Sequence, residues 1–141
     1  MECVPNVSEG RDQARLARLA AAVTATPGVT LAGVHADPDH HRSVFTFLGP
    51  PAAVAAAALA LADAVVAEVD MREHHGIHPR IGALDVLPFV PLAGMTMADA
   101  VTLAQQSGGT LAARHRLPVY YYAHAARRPE RRALRELRHR E

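Results

Sequence analysis

The chain has 141 residues and a formal net charge of +1, which is enough polymer for one domain around a single core. Half of its residues are apolar, a fraction typical of a packed globule and not of a disordered chain. All 15 basic residues are arginines, so chemistry that needs a lysine, such as a Schiff base, is excluded. The single cysteine excludes an internal disulfide.

The charge is unevenly distributed along the chain. Residues 1–126 carry 8 arginines and 11 acidic residues (net −3), whereas residues 127–141 carry 7 arginines and 3 acidic residues (net +4). A nucleic-acid-binding protein of this size spreads arginines and aromatic residues over one face, so no nucleic-acid partner is expected. The sequence has no signal-peptide layout, and its longest apolar run, residues 51–62, is expected to be too short to cross a bilayer. We therefore predict a cytoplasmic protein with no membrane partner.

Hydrophobic periodicity and turn residues predict five strands and three helices, with a charged helix or tail at the end. Leu16, Leu19, Ala20 and Val23 form the apolar stripe of the first helix, and Thr96 is expected to cap the third. In chain order the predicted segments are a strand Glu2–Val4, a loop Asn6–Gly10, a helix Asp12–Thr24, strands Val29–His35 and Ser43–Leu48, a helix from Pro51 to about Val69, a loop Asp70–Pro79, a strand Ile81–Phe89, a helix Thr96–Arg114, a strand Val119–Tyr122 and a terminal segment Arg127–Glu141. This order predicts an α+β protein in which a ferredoxin-like βαββαβ sandwich is extended by an extra helix and strand. The helices are expected on one face of an antiparallel sheet, with residues 1–126 as the domain and 127–141 as a basic tail.

The second predicted helix is apolar nearly all round, with Val54, Leu61 and Val65 among its large residues. A helix without a broad polar face is either deeply buried or lies at a subunit interface. Because one small sheet covers only one side of a helix, we expect part of it to meet a partner.

Two loops concentrate the polar residues from which sites are usually built. The first is residues 37–42 (DPDHHR) and the second is residues 74–80 (HHGIHPR). Either loop alone is also consistent with ordinary surface polarity. A metal site is a further alternative because His74 and His78 are four residues apart, but Gly76 and Pro79 argue against a helix there, and no metal is predicted.

His78 stands out because Pro79 restricts its backbone towards an extended conformation. Arg80 follows two residues later, so both side chains point the same way in an extended chain. Asp85 lies within an apolar strand and must be paired or hydrogen-bonded. It is either the structural partner of an arginine or part of the site, and the sequence leaves both possibilities open.

Three stretches resemble the signatures of the glutamate formimidoyltransferase (formiminotransferase) family. They are residues 2–10 (ECVPNVSEG), 37–51 (DPDHHRSVFTFLGPP) and 78–88 (HPRIGALDVLP), in that order, and residues 119–126 are similar to a fourth. Family members transfer the formimino group of N-formimino-L-glutamate to tetrahydrofolate, a step of histidine degradation. The sequence departs from the family at Ile77, where relatives usually have Glu, and at Ala123-His124, where they tend to have Gly-Glu.

The resemblance implies that His78 is the catalytic residue, in the His-Pro-Arg motif, and that tetrahydrofolate is the co-substrate. A histidine near neutral pKa can take the proton from the attacking folate amine and give one to the departing glutamate nitrogen. Carboxylates can stabilise the cationic intermediate and arginines can anchor substrate carboxylates. The predicted substrate-binding residues are Asn6, Asp37, Asp39, His41, Arg42, Arg80 and Asp85.

The resemblance also implies a partner. The family has two similar subdomains with folate bound in the groove between them, so we expect a separate C-terminal subdomain or a homo-oligomer to complete the groove. The alternatives are a non-catalytic folate-binding module and an assembly module derived from the same scaffold.

Overall fold

The structure is a computed structural model that describes residues 1–77 and 79–140 of the chain. Within these residues the strands and α-helices are β1 (Glu2–Cys3), β2 (Asn6–Val7), α1 (Gln13–Thr24), β3 (Thr30–Asp37), β4 (Arg42–Leu48), α2 (Pro51–Glu68), β5 (Leu84–Val86), β6 (Phe89–Val90), α3 (Met97–His115) and α4 (Leu134–Arg140). Short 3₁₀ turns occur at Met71–Glu73, Ala123–Ala125 and Pro129–Arg131. The predicted α+β class is confirmed.

The strands form one antiparallel sheet. β1 and β2 both pair with β4, β3 pairs with the other edge of β4, and β6 and β5 pair with β1 and β2. When β1–β2 and β5–β6 are each counted as one interrupted strand, the order across the sheet is fourth, first, third, second. With α1 after the first strand and α2 after the third, this is the ferredoxin-like topology predicted from the sequence.

One face of the sheet forms the core against α1 and α2. Along β4 the side chains alternate between buried and half-buried, and Phe45 and Phe47 are fully buried. Helix α1 contributes the predicted stripe of Leu16, Leu19 and Val23. The alternation of period two in the strand and of about 3.6 in the helix lets the two apolar surfaces meet.

The helix boundaries follow local capping chemistry. The carboxylate of Asp12 accepts a hydrogen bond from the Arg15 backbone N–H and caps α1. Thr96 and Asp99 form a reciprocal capping box at the start of α3, as the Thr96 position predicted. After α1, Gly28 has a φ of +84°, a conformation that glycine adopts without steric cost.

Two predicted segments at the sheet differ from the structure. The loop predicted for Asn6–Gly10 is wrong at its start, because Asn6–Val7 pairs as β2 after the interruption at Pro5. The single strand predicted for Ile81–Phe89 divides into β5 and β6. Pro88 lies at this break and has no N–H to donate to the ladder, although its carbonyl accepts from the Val4 N–H at 3.2 Å.

The strand predicted for Val119–Tyr122 is wrong. This segment is irregular and leads into the 3₁₀ turn at Ala123–Ala125. It is held by side chains and not by a strand ladder: Tyr121 Oη donates to the Gln105 carbonyl on α3 at 2.9 Å, and the Tyr121 ring lies against Gly108. The alternation of apolar residues therefore reflects packing against a helix.

Helix α2 extends the apolar run identified in the sequence to 18 residues with a mean hydropathy of 1.6. By length and composition alone this helix is long enough to cross a membrane. The expectation that the apolar run at residues 51–62 is too short to do so therefore does not hold for the whole helix. Core helices of globular proteins pass the same test. Val54, Leu61 and Val65 on α2 are fully buried in the core, which gives the apolar residues a role within the fold.

Candidate functional site

The site begins at Glu9, a buried carboxylate before α1. Glu9 is 1% exposed, and its Oε1 accepts hydrogen bonds from the backbone N–H groups of Arg11 (2.8 Å) and Asp12 (3.0 Å). Its Oε2 accepts from Arg15 Nη1 at 2.7 Å. Burial opposes ionisation, but the hydrogen bonds from Asp12, Arg11 and Arg15 outweigh it and lower the pKa of Glu9. The ionised carboxylate therefore holds the chain at the start of α1 in place.

The turn between β3 and β4 is built around Asp37. Its Oδ1 accepts from the backbone N–H groups of Asp39 (3.0 Å) and His40 (3.1 Å), and its Oδ2 lies 2.6 Å from His40 Nδ1. These hydrogen bonds, the backbone and side-chain ones from His40 first, lower the pKa of Asp37. Arg11 Nε donates to the Pro38 carbonyl at 2.8 Å and joins this turn to the Glu9 loop.

His41 closes the turn with an unusual backbone conformation. Its φ of +51° lies in the left-handed region, where histidine is one of the better-tolerated residues after glycine. The Gly10 N–H donates to His41 Nδ1 at 3.1 Å. A Cβ on Gly10 would lie 2.4 Å from the Asp37 carbonyl oxygen, so this close approach requires glycine. Burial, followed by the neighbouring His74, lowers the pKa of His41.

The second predicted loop packs directly on this turn. Arg80 Nη1 donates to the His41 carbonyl at 3.1 Å, and Nη2 donates to the His40 carbonyl at 2.8 Å. The rings of His74 and His41 are stacked with centroids 4.2 Å apart. Gly76 fits closely as well, because a Cβ there would lie 2.6 Å from the His40 carbonyl oxygen.

These contacts form the base of an open recess of about 610 Å³. Its charged and titratable lining residues are Arg11, Asp39, His74, His75 and Arg80. Ile77 also lines it and is 75% exposed. We call this concavity the polar recess. It combines guanidinium groups that bind carboxylates, imidazoles that titrate near neutral pH and a carboxylate that attracts a cation.

The structure brings together part of the predicted site. Asp39 and Arg80 line the polar recess, and His41 lies beneath it. Arg42 follows in the chain as the first residue of β4, opposite Asp37 in the ladder. The predicted catalytic residue, His78, lies outside the described residues. The assignment of these residues to substrate binding or catalysis stays a prediction.

Asp85 is placed differently. Its side chain is 5% exposed, Oδ1 accepts from the Ile81 N–H at 2.6 Å, and Oδ2 accepts from Arg138 of α4. It lies beside an apolar cavity of about 590 Å³ between α2, α3, β5–β6 and the C-terminal segment. Of the two roles that the sequence left open, the geometry provides the structural one: an arginine partner. We call this space the apolar cavity.

Asn6 lies in β2, and its Nδ2 donates to the Val4 carbonyl at 3.1 Å. This short local bond stabilises the interruption at Pro5, between β1 and β2.

Sequence reasoning missed Arg11 as a site candidate. Its position directly after Glu9-Gly10, at the loop before α1, is the signal that indicates it in retrospect.

No group of three or more histidine, cysteine, aspartate or glutamate side chains that could hold a metal ion occurs within residues 1–77 and 79–140. His74 Nε2 lies 3.1 Å from the His41 carbonyl oxygen, and Arg80 Nη1 is within 3.0 Å of His74 Nδ1. A guanidinium beside the ring repels a cation, so His74 is poorly placed as a metal ligand.

Comparisons with known proteins point to one family. A family model described as "Formiminotransferase domain, N-terminal subdomain" matches residues 1–141. A formimidoyltransferase-cyclodeaminase from Sus scrofa is 46% identical over 138 residues, which cover 98% of this chain and 26% of the relative. Glutamate formimidoyltransferases from Thermoplasma acidophilum and Streptococcus pyogenes serotype M1 are 44% and 40% identical, with 98% of this chain and 46% of each relative covered.

These matches define the class of protein as a transferase-type α+β domain. The chain belongs to the formiminotransferase family and corresponds to its N-terminal subdomain. It spans between about a quarter and a half of the length of these relatives. The family resemblance predicted from the three sequence stretches is confirmed.

Proposed function

We propose that this chain provides one wall of a site that transfers the formimino group from N-formimino-L-glutamate to tetrahydrofolate. The observation that supports this is the polar recess, in which the 37–42 turn and the 74–80 loop meet. The first segment lies within the 37–51 signature, and the second overlaps the 78–88 signature at residues 78–80. Two loops from distant parts of the sequence build one concavity with the charges that this chemistry requires.

The reaction needs two proton movements at nitrogen. The folate amine attacks the formimino carbon, and the resulting tetrahedral intermediate collapses by breaking the bond to the glutamate nitrogen. The attacking nitrogen loses a proton and the departing nitrogen gains one, so the proton count is balanced. We assign both transfers to His78, because histidine is the side chain whose ordinary chemistry lets it both accept and donate a proton near neutral pH.

The charged groups of the recess suit the substrates. The formimino group is cationic when protonated, and the exposed carboxylate of Asp39 is placed to attract it. The exposed guanidinium of Arg11, on the same concavity, is suited to a substrate carboxylate. Tetrahydrofolate acts as co-substrate, and no metal is needed for this mechanism.

The second wall of the groove comes from another polypeptide segment in this proposal. The relatives extend well beyond the region that matches this chain. We assign the second wall to a C-terminal subdomain, present as a separate segment or supplied by another copy. Light scattering on the purified chain distinguishes a dimer from a monomer.

The cytoplasmic location stays a prediction, as does the absence of nucleic-acid and membrane partners.

The experiment measures tetrahydrofolate binding by calorimetry and consumption of formiminoglutamate by chromatography, with the chain alone and with a relative's C-terminal half added. His78→Gln should abolish transfer and retain the circular dichroism spectrum of the wild type. The matched control is His35→Gln on β3, an exposed histidine outside the polar recess, which should leave transfer unchanged. Folate binding without transfer under either condition would support a non-catalytic binding module. Neither binding nor transfer would support an assembly module.

A further inference from the structure

Glu9 is a buried carboxylate that the proposed reaction does not use. Its lowered pKa keeps it ionised at neutral pH, and its side chain is 2% exposed, so it has no access to a substrate. It lies two residues before Arg11, which the proposed function pairs with a substrate carboxylate. A buried charge is costly unless hydrogen-bond partners compensate for the lost hydration, so these partners indicate what Glu9 does.

The two oxygens of Glu9 have different partners. Oε1 accepts from the backbone N–H groups of Arg11 and Asp12, at 2.8 and 3.0 Å. These N–H groups belong to the peptide units on either side of the Arg11 Cα atom. Because the orientations of two planar peptide units set φ and ψ of the residue between them, Oε1 fixes the direction of the Arg11 Cα–Cβ bond. Oε2 instead accepts from Arg15 Nη1 on α1, at 2.7 Å.

Helix capping does not account for the bonds to Oε1. Helix α1 begins at Gln13, so the N–H groups of Arg11 and Asp12 lie before the helix. The cap of α1 is the Asp12 carboxylate, which accepts from the Arg15 N–H at 3.0 Å. The bonds to Oε1 therefore act on the residues that precede the helix, and of these two Arg11 lines the polar recess.

The side chain of Arg11 is also held by the 37–42 turn. Nε donates to the Pro38 carbonyl at 2.8 Å, and Pro38 directly precedes Asp39, the exposed carboxylate of the recess. Among the described residues, the hydrogen bonds of the Arg11 side chain involve Nε alone. A guanidinium has five N–H donors, so its two terminal nitrogens retain four of them for a carboxylate.

We propose that Glu9 is a positioning residue: through Oε1 it directs the Arg11 guanidinium to the place in the polar recess where a substrate carboxylate binds. This inference rests on the proposed function for the identity of that substrate, formiminoglutamate. The bond from Arg11 to Pro38 keeps the guanidinium beside the turn that carries Asp39. The recess then presents an anion-binding and a cation-binding group in a fixed arrangement, which suits a substrate that carries both a carboxylate and an amidinium.

The first test needs no substrate and measures hydrogen exchange of the Arg11 Nε–H by nuclear magnetic resonance. Glu9→Ala removes both acceptors and should make this exchange about tenfold faster, the effect of losing one net hydrogen bond. Glu9→Gln keeps an oxygen for the two backbone N–H groups and loses the ion pair with Arg15, so its exchange should stay within about threefold of the wild type. Equal acceleration in the two variants, or none in Glu9→Ala, would overturn the proposal.

Two further variants support this measurement. Asp99→Ala is the matched control, because it removes a carboxylate that accepts from the Thr96 backbone N–H at 2.9 Å at the start of α3. It should leave the exchange of the Arg11 Nε–H unchanged. Glu9→Asp keeps the charge on a side chain one methylene shorter, which reaches the two N–H groups less well and should also accelerate exchange. It replaces Glu9→Ala if circular dichroism shows that Glu9→Ala does not fold.

The second test is a double-mutant cycle in the transfer assay. Arg11→Gln and Glu9→Ala should each raise KM for formiminoglutamate by about tenfold and change kcat by less than about threefold, as expected for lost substrate binding. The double variant should raise KM no further than Arg11→Gln alone, because Glu9 acts through Arg11. Additive increases in KM would overturn the proposal, since they would show that Glu9 acts without Arg11. Asp99→Ala should leave KM unchanged.

The two proposals fail separately. If the wild type binds formiminoglutamate without transfer, the same cycle is measured as Kd by calorimetry, so the positioning role is decided although the proposed function fails. If the wild type transfers the formimino group and Glu9→Ala changes neither the Nε–H exchange nor KM, the function stands and the positioning role fails. Neither binding nor transfer would overturn the substrate role of Arg11 and with it both proposals.

Discussion

The polar recess and the apolar cavity each contain an ionisable side chain that stands out in the sequence, and the two side chains have different structural roles. Arg80, which lines the recess, binds main-chain carbonyls of a neighbouring turn and an imidazole. Asp85, beside the cavity, forms a buried ion pair with Arg138. A charged residue in an unexpected place can therefore organise a loop or join a terminal helix to the sheet. Its partners distinguish the two roles, and these partners are distant in sequence.

Of the substitutions in these two regions, we expect the largest loss of stability from one beside the apolar cavity. Asp85→Ala should lower the free energy of unfolding by about 3–5 kcal/mol, because it leaves the Arg138 guanidinium without its carboxylate in a buried position. Urea denaturation measures the loss. The control is Arg114→Ala, which breaks an ion pair with Asp63 between side chains that are 45% and 42% exposed, leaves Asp63 in contact with His115, and should cost about 1 kcal/mol or less. Equal losses in the two variants would contradict a buried structural role for Asp85.

A smaller loss is expected at the recess from Gly10→Ala. The added methyl group would meet main-chain atoms of Asp37 and Arg42 within 2.7 Å, and an overpacked site of this kind costs about 1–3 kcal/mol. Gly109→Ala on α3 is the matched control, since nothing lies within 4 Å of its added Cβ. Its exposed helical position predicts a gain of about 0.5–1 kcal/mol. Thermal and urea unfolding of both variants should therefore change in opposite directions, and a loss in both would refute the packing argument.

The smallest expected effect is a pH dependence of stability that belongs to the recess. The pKa values of His41 and His74 are lowered in the folded chain from 6.5, so the unfolded chain takes up protons first as the pH falls. Their contribution to stability is complete above about pH 6.5 and decreases below it as the pH falls through the folded pKa values. The measurement is the urea midpoint between about pH 7.5 and pH 5.

A double variant isolates the two histidines in this pH series. His41→Asn with His74→Phe should flatten the slope, since asparagine also tolerates the left-handed backbone of position 41. An unchanged slope would show that other groups carry the dependence. Glu9, whose pKa is lowered, contributes above its ordinary pKa of 4.5 and is lost at still lower pH, so it stabilises the chain throughout this window.

Local patterns predicted the helices and the order of the sheet. The stripe that includes Leu16, Leu19 and Val23 placed α1, and Thr96 placed the start of α3. Such signals depend on neighbours within a few residues, so the sequence displays them directly. The prediction was wrong for Val119–Tyr122 because an apolar alternation does not distinguish a sheet partner from the side of a helix, and here α3 is the partner.

The sequence identified the two loops of the site, but it did not show how these loops contact each other. Composition identified residues 37–42 and 74–80, but their contact depends on Arg80 reaching carbonyls about forty positions earlier in the chain. The turn-forming role of Asp37 is a local feature that its spacing to Asp39 and His40 allows. The involvement of Arg11 and the stacking of His41 on His74 require the folded sheet, which brings the loops together.

The long separations within the recess have a consequence for folding. The hydrogen bonds that close the recess join residues separated in the sequence by 31, 33, 39 and 40 positions. They cannot form until the sheet has brought these distant segments together. Loop-closure entropy places such contacts late in assembly. A partly folded chain, with its helices and hairpin complete, would therefore still present its polar loops apart from one another, without the concavity that their contact creates.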